Sequence, residues 1–153
     1  MAGTTTASKT GSHIDTLNSL LRGELAATET YQQALAKVGD SGPGIAELRQ
    51  IHAEHRDAAN TLREHVRTHG GTPDHGSGAW GVFAKAVEGT AKLFGNTAAL
   101  KALKEGEESG IKSYEGALKD NTLPVDCQTL IRSQLLPQTQ SHIPVLDRLM
   151  EQQ

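Results

Sequence analysis

Two glutamates and two histidines stand on the apolar stripes of this chain, where an ionisable side chain is out of place. Glu24 falls between Leu20/Leu21 and Ala27, and Glu107 between Leu103 and Gly110. His55 falls between Ile51 and Ala58/Ala59, and His142 between Leu135 and Val145/Leu146. Burying an unpaired carboxylate is costly, so groups in such positions need partners. Carboxylate oxygen with neutral imidazole nitrogen is a donor set for iron, manganese or zinc. His52, three residues before His55 and on the same face, is a fifth candidate ligand. The single cysteine, Cys127, excludes an intramolecular disulfide framework and a Cys-based zinc site, and reads as a small buried hydrophobe.

The elements that must carry these residues are helices. Apolar residues recur at helical spacing in four stripes: Ile14 to Val38, Leu48 to Val66, Leu100 to Leu118 and Leu130 to Leu149. Turn-forming residues close the first at Asp40-Ser41-Gly42-Pro43-Gly44, the second at Gly70-Gly71-Thr72-Pro73 and the third near Asp120-Asn121. Pro137 and Pro144 lie inside the fourth stripe and predict a bend or a local break there. With no strand pattern in evidence, the fold class is all-α: two antiparallel helical hairpins with short loops, joined by a long crossover at residues 70–96. The crossover's Ala79, Trp80, Val82, Phe83, Leu93 and Phe94 are too apolar to stand free, and favour a cap on the bundle together with a homodimer contact. Residues 1–12 are small and polar and predict a disordered tail, leaving 13–151 as one bundle domain.

The 153 residues suit one domain of useful core size, and a formal charge of −3 offers no electrostatic attraction for nucleic acid or an anionic membrane. No apolar run approaches the length of a membrane span, and residues 1–12 lack the apolar stretch of a secretory signal. A soluble, cytoplasmic protein is the expectation.

The hairpins repeat one another. Glu24, Ala27, Tyr31 and Ala34-Leu35 in the first half match Glu107, Gly110, Tyr114 and Ala117-Leu118 in the second at an offset of 83. These are the chain's 2 tyrosines, and both fall in register. His55 and Leu62 match His142 and Leu149 at an offset of 87. Duplication of a helical hairpin accounts for the pattern. It brings two carboxylates and two imidazoles, one from each helix, toward the middle of the bundle. Tyr31 and Tyr114 read as core aromatics, with a phenol reaching a ligand carboxylate as the secondary possibility. Glu54 reads as a solvent-side charge, or else as an acceptor that orients an imidazole. His13, His65, His69 and His75 read as surface histidines.

Arg22-Gly23-Glu24 with Glu29-Thr30-Tyr31, Glu105-Gly106-Glu107-Glu108 with Tyr114-Glu115-Gly116-Ala117-Leu118, and His69-Gly70-Gly71-Thr72-Pro73 give the chain a resemblance to the ferritin-like superfamily. Within it, the sequence is similar to an uncharacterised bacterial four-helix-bundle family, a domain of unknown function. The resemblance implies a ferritin-like bundle in which Glu24 and Glu107 match the terminal carboxylates of a di-iron site, and His55 and His142 its imidazoles. The bridging glutamates of that pattern fall at His52 and Thr139. A mononuclear site, or a histidine-rich two-metal site, fits these residues better than standard ferroxidase chemistry. The leading functional expectation is thus a metal-binding protein with ligands Glu24, His52, His55, Glu107 and His142. It favours iron over manganese or zinc, and implies iron handling or a weak oxidoreductase role in redox stress. The alternative is a metal-free helical scaffold or stress-associated binding protein whose core holds direct Glu–His hydrogen bonds.

Overall fold

The apolar periodicity is realised as long rods, and the computed structural model describes residues 2–38, 42, 44–76 and 96–152. Helix α1 spans Ala2–Val38, α2 spans Ile45–Thr68 and α3 spans Asn96–Leu118. Helix α4 is built from Val125–Leu130, a π-helical turn at Ile131–Leu135 and Leu136–Glu151 in direct succession. α1 packs chiefly on α2 and α3 chiefly on α4, and the two hairpins meet mainly along α1 and α3. The described residues thus form the all-α four-helix bundle of two hairpins that the stripes predict. The crossover segment 77–95, with its aromatic residues and the dimer contact assigned to them, lies outside the described residues. Among the described residues, no helix is long and apolar enough to cross a membrane.

Helix α1 as described includes residues 2–12. Once the packed segment from Ile14 onward nucleates the helix, each further residue fixed gains a hydrogen bond, so extension is far easier than initiation. As its prolines predict, α4 is locally irregular, at the π turn that precedes Pro137. Its buried positions Cys127, Ile131, Leu135 and Thr139 are spaced by four, a pattern that drifts about 40° per step on a regular α-helix. The wider π turn, in which the Leu136 N–H donates to the Ile131 carbonyl five residues back, takes up that drift. Pro137 then sits in the first turn of the following segment, where a missing donor is tolerated. Pro144 lies within Leu136–Glu151 without breaking it. The carbonyl it leaves unpaired belongs to Gln140, an exposed residue within reach of water.

The core is two apolar layers with a polar layer between them. One layer holds Leu17, Leu21, Leu62, Val66, Tyr114, Ile131 and Leu135; the other holds Tyr31, Ile51, Leu100, Leu103, Leu146 and Leu149. On every helix the change from one layer to the other comes at an ionisable residue: Glu24, His55, Glu107 or His142. All four are 5% exposed or less.

Glycines shape the helix ends. At the end of α2, Gly70 adopts φ +86°, its N–H bonds the Arg67 carbonyl at 3.0 Å and the Gly71 N–H bonds Val66 at 2.8 Å. This paired closure reverses the chain. The outgoing strand of loop is then pinned to α1: the Asn18 amide donates to the Thr72 carbonyl at 3.1 Å and accepts from the Asp74 N–H at 2.9 Å, while Arg22 pairs with Asp74. Gly44, which precedes α2, also has φ +86°, and a Cβ there would lie 2.6 Å from Leu149 Cδ2. A Cβ on Gly70 meets nothing within 4 Å. Gly70→Ala should therefore cost about 1–2 kcal/mol from the left-handed backbone alone, and Gly44→Ala more, because Leu149 must also move. Urea unfolding midpoints should fall in the order wild type, Gly70→Ala, Gly44→Ala; equal midpoints for the two variants would contradict this account of the turn.

Candidate metal centre

The polar layer is one connected network. The Tyr31 hydroxyl donates to Glu107 Oε1 at 2.6 Å, and the Tyr114 hydroxyl donates to Glu24 Oε1. Each phenol thus belongs to one hairpin and serves the carboxylate of the other, so the wiring crosses the pseudo-symmetry axis. His55 lies between the two carboxylates, with Nδ1 2.6 Å from Glu24 Oε2 and Nε2 2.7 Å from Glu107 Oε1. His142 is placed in a related way, with Nδ1 3.1 Å from Glu107 Oε2 and Nε2 3.0 Å from Glu54 Oε1. The two imidazoles meet edge to face, 4.9 Å between ring centres. Gln50 donates to the remaining oxygen of Glu54 at 2.7 Å.

Electrostatics follow from this wiring. Ionised carboxylates only accept, so both nitrogens of His55 carry hydrogen and the ring is an imidazolium. Burial works strongly against that charge, but Glu24 and Glu107 outweigh it and raise the group to about 10. Burial likewise disfavours an ionised Glu107; the His55 charge and the hydrogen bonds from His142 and His55 overcome it and hold the carboxyl down at about 2. Tyr31 and Tyr114 are raised well above the ordinary phenol value, by burial first and then by the neighbouring carboxylates, so both remain donors.

His55, Glu107 and His142 each present a ligand atom within 4.8 Å of the others, and this buried triad is capable of coordinating a metal ion. The structure brings Glu24, His55, Glu107 and His142 into one layer. Glu24 enters it through His55 and Tyr114. His52 contributes no atom to the triad; its Nε2 is buried without a hydrogen-bond partner, and burial and the nearby Arg56 lower its basicity. At the matching position of the second hairpin, Thr139 turns its hydroxyl to the Leu135 carbonyl at 2.9 Å. Neither position held by bridging glutamates in di-iron bundles supplies a carboxylate here. Glu54 takes the role of an acceptor behind an imidazole, and its hairpin-two counterpart is Ser141, so nothing in the repeat pointed to it. His65 and His69, at the end of α2, are partly exposed, and both lie beside Asp126 of α4. Their spacing of four along one helix face was the available signal.

A cavity of about 90 Å³ between α1 and α3 borders the layer, touching Glu24, Tyr31, His55, Glu107, Tyr114 and Thr139. Apart from Leu20 and Leu103, its other walls are small residues, among them Gly23, Ala27, Gly106 and Gly110. That is room for a few waters beside the carboxylates.

A model of the domain-of-unknown-function family DUF2383 matches residues 12–120. The chain belongs to that family. The matched stretch holds Glu24, Tyr31, His55, Glu107 and Tyr114, while His142 lies beyond it on α4. No curated protein and no solved structure matches the chain.

The pH dependence of stability reports the charged layer. His55 is raised from 6.5 to about 10, so its contribution is complete below about pH 6.5 and is lost as pH climbs through about 10. Glu107 is lowered from 4.5 to about 2, so its contribution is complete above about pH 4.5 and is lost as pH falls through about 2. In excess chelator, the melting temperature should be highest between about pH 4.5 and 6.5 and should decline on both sides. His55→Gln should flatten the alkaline decline. An unchanged alkaline limb in that variant would show that His55 is not a buried cation.

Proposed function

We propose that the polar layer binds one divalent transition ion through His55 Nε2, His142 Nδ1 and a Glu107 oxygen, and that the protein is a ferritin-like metal protein. One observation carries the reading. Each imidazole turns one nitrogen to the shared Glu107 and the other to an outer carboxylate, Glu24 behind His55 and Glu54 behind His142. A carboxylate behind a coordinating imidazole is how proteins fix the tautomer and orientation of metal-ligating histidines. The charge balance supports it. Three carboxyl groups face two imidazoles, so acidic groups outnumber basic ones in the layer, and a divalent cation suits that excess. In this reading Glu24 orients His55 and is not itself a ligand, and His52 stands outside the site.

Two histidines and one carboxylate form a donor set used for iron(II) and for zinc. Iron is favoured over manganese or zinc by the ferritin-like arrangement of the bundle. Bound iron or manganese supplies one-electron redox chemistry. The protein's own part is to hold the rings and Glu107 in register, to keep Tyr31 donating to Glu107, and to limit water to the small cavity between α1 and α3. Iron handling or a slow redox step under oxidative stress is the role this chemistry suits. The competing reading is a metal-free bundle in which His55 is itself the counter-cation and the layer only fixes helix register. The direct Glu–His bonds favour it to that extent.

Thermal unfolding of untagged protein separates the two. With anaerobic Fe(II), or with Mn(II) or Zn(II), at about a hundredfold excess over Kd, stabilisation is about 2.7 kcal/mol, a rise on the order of 5–10 °C for a chain of this size. The rise should persist in Cys127→Ser and vanish in the double variant Glu107→Gln/Cys127→Ser. Binding should also release protons and weaken with falling pH, because the His55 proton must leave. If none of these ions raises the melting temperature of Cys127→Ser, or if the rise is equal in Glu107→Gln/Cys127→Ser, the scaffold reading stands.

A further inference from the structure

A second cluster of metal-ligating side chains lies apart from the polar layer, where the end of α2 meets the start of α4. His65 stands in the last turn of α2, His69 caps that helix, and Asp126 and Cys127 occupy the first turn of α4. Ligand atoms of His69, Asp126 and Cys127 all lie within 4.8 Å of one another. His69 Nε2 is 2.9 Å from Asp126 Oδ2, and His65 Nε2 is 3.8 Å from the same oxygen.

The orientation of His65 is the telling detail. Its Nδ1 lies 3.0 Å from the Thr61 carbonyl, which can only accept, so Nδ1 carries the hydrogen. Nε2 is the nitrogen left for another ligand, and it faces the Asp126 carboxylate oxygen at a distance too long for a hydrogen bond. Two lone-pair donors held this way suit a shared cation. With metal–ligand bonds of about 2.0–2.1 Å, neighbouring ligand atoms of a tetrahedral site lie about 3.3 Å apart. The Thr61 carbonyl behind Nδ1 supplies the backing hydrogen bond typical of metal-bound histidine.

We propose that His65, His69, Asp126 and Cys127 form a mixed four-ligand site for a zinc-like divalent ion. A single thiol cannot build a Cys-based site, but it serves as one of four ligands. Imidazole, carboxylate and thiolate together are zinc's own donor classes. The imidazole and carboxylate side chains are partly exposed, which leaves an entry path, and Cys127 closes the site from the core side. Coordination converts the thiol to a thiolate and releases its proton to solvent. Before binding, burial and then Asp126 keep that thiol protonated, its value pushed up to about 12. Because His65 and His69 belong to the first hairpin and Asp126 and Cys127 to the second, the ion ties the hairpins together at one end of the bundle.

Cobalt(II) tests the assignment directly. Cys127 is the chain's 1 cysteine, so a thiolate-to-cobalt charge-transfer band can arise only there and not from the polar layer. Two equivalents of Co(II), enough to fill the polar layer as well, added to untagged, reduced, full-length protein should produce that band, and excess Zn(II) should bleach it. Cys127→Ser should abolish it. So should the double variant His65→Gln/His69→Gln, whose partly exposed positions leave the core packing intact. Absence of the band in wild-type protein overturns the proposal, as does a band that survives in the double-histidine variant.

Discussion

Everything in the bundle's middle depends on one desolvated carboxylate. Glu107 is buried on α3 and is held by the Tyr31 hydroxyl and by both imidazoles. Removing a single partner from such a group leaves a buried charge uncompensated, which is far more damaging than any one bond is stabilising. The consequence is mechanical. Tyr31 comes from α1, His55 from α2, Glu107 from α3 and His142 from α4, so one side chain fixes the relative height of all four helices. The apolar layers on either side supply most of the burial, but apolar contacts tolerate sliding and repacking more readily than a hydrogen-bonded charge does.

The duplication explains both the order and the departures from it. Two copies of a hairpin with Glu and Tyr at fixed spacing produce reciprocal bonds, Tyr31 to Glu107 and Tyr114 to Glu24. The symmetry fails at the second helix of each hairpin. His55 sits between both glutamates, whereas His142 reaches Glu107 and Glu54. Glu54 has Ser141 as its counterpart and His52 has Thr139, so only the first hairpin can supply the extra acceptor. The layer consequently gathers both imidazoles around one shared carboxylate.

The backbone of α4 accommodates this layer. The π turn at Ile131–Leu135 sits between the apolar positions that face one layer and the Thr139/His142 face that belongs to the polar one. Without the wider turn, the four-residue spacing before it would carry His142 away from Glu107. Small residues along α1 and α3 complete the setting, since they leave space beside the carboxylates where larger side chains would fill it.

How much of this was legible in the chain can be judged residue by residue. The helical class, the hairpin pairing and the inward placement of Glu24, His55, Glu107 and His142 all follow from apolar periodicity and an internal repeat. Those are local properties of a sequence with 3.6 residues per turn. His52 shares that periodicity and still misses the triad, while Glu54, off the stripe, reaches His142. The tyrosines could be placed in register, but not assigned to the opposite hairpin's carboxylates. The cluster of His65, His69, Asp126 and Cys127 joins residues separated by 57 positions or more. Periodicity says which way a side chain points from its own axis; it carries no information on rotation, height or crossing between axes, and these alone determine which polar atoms come within 3 Å of one another.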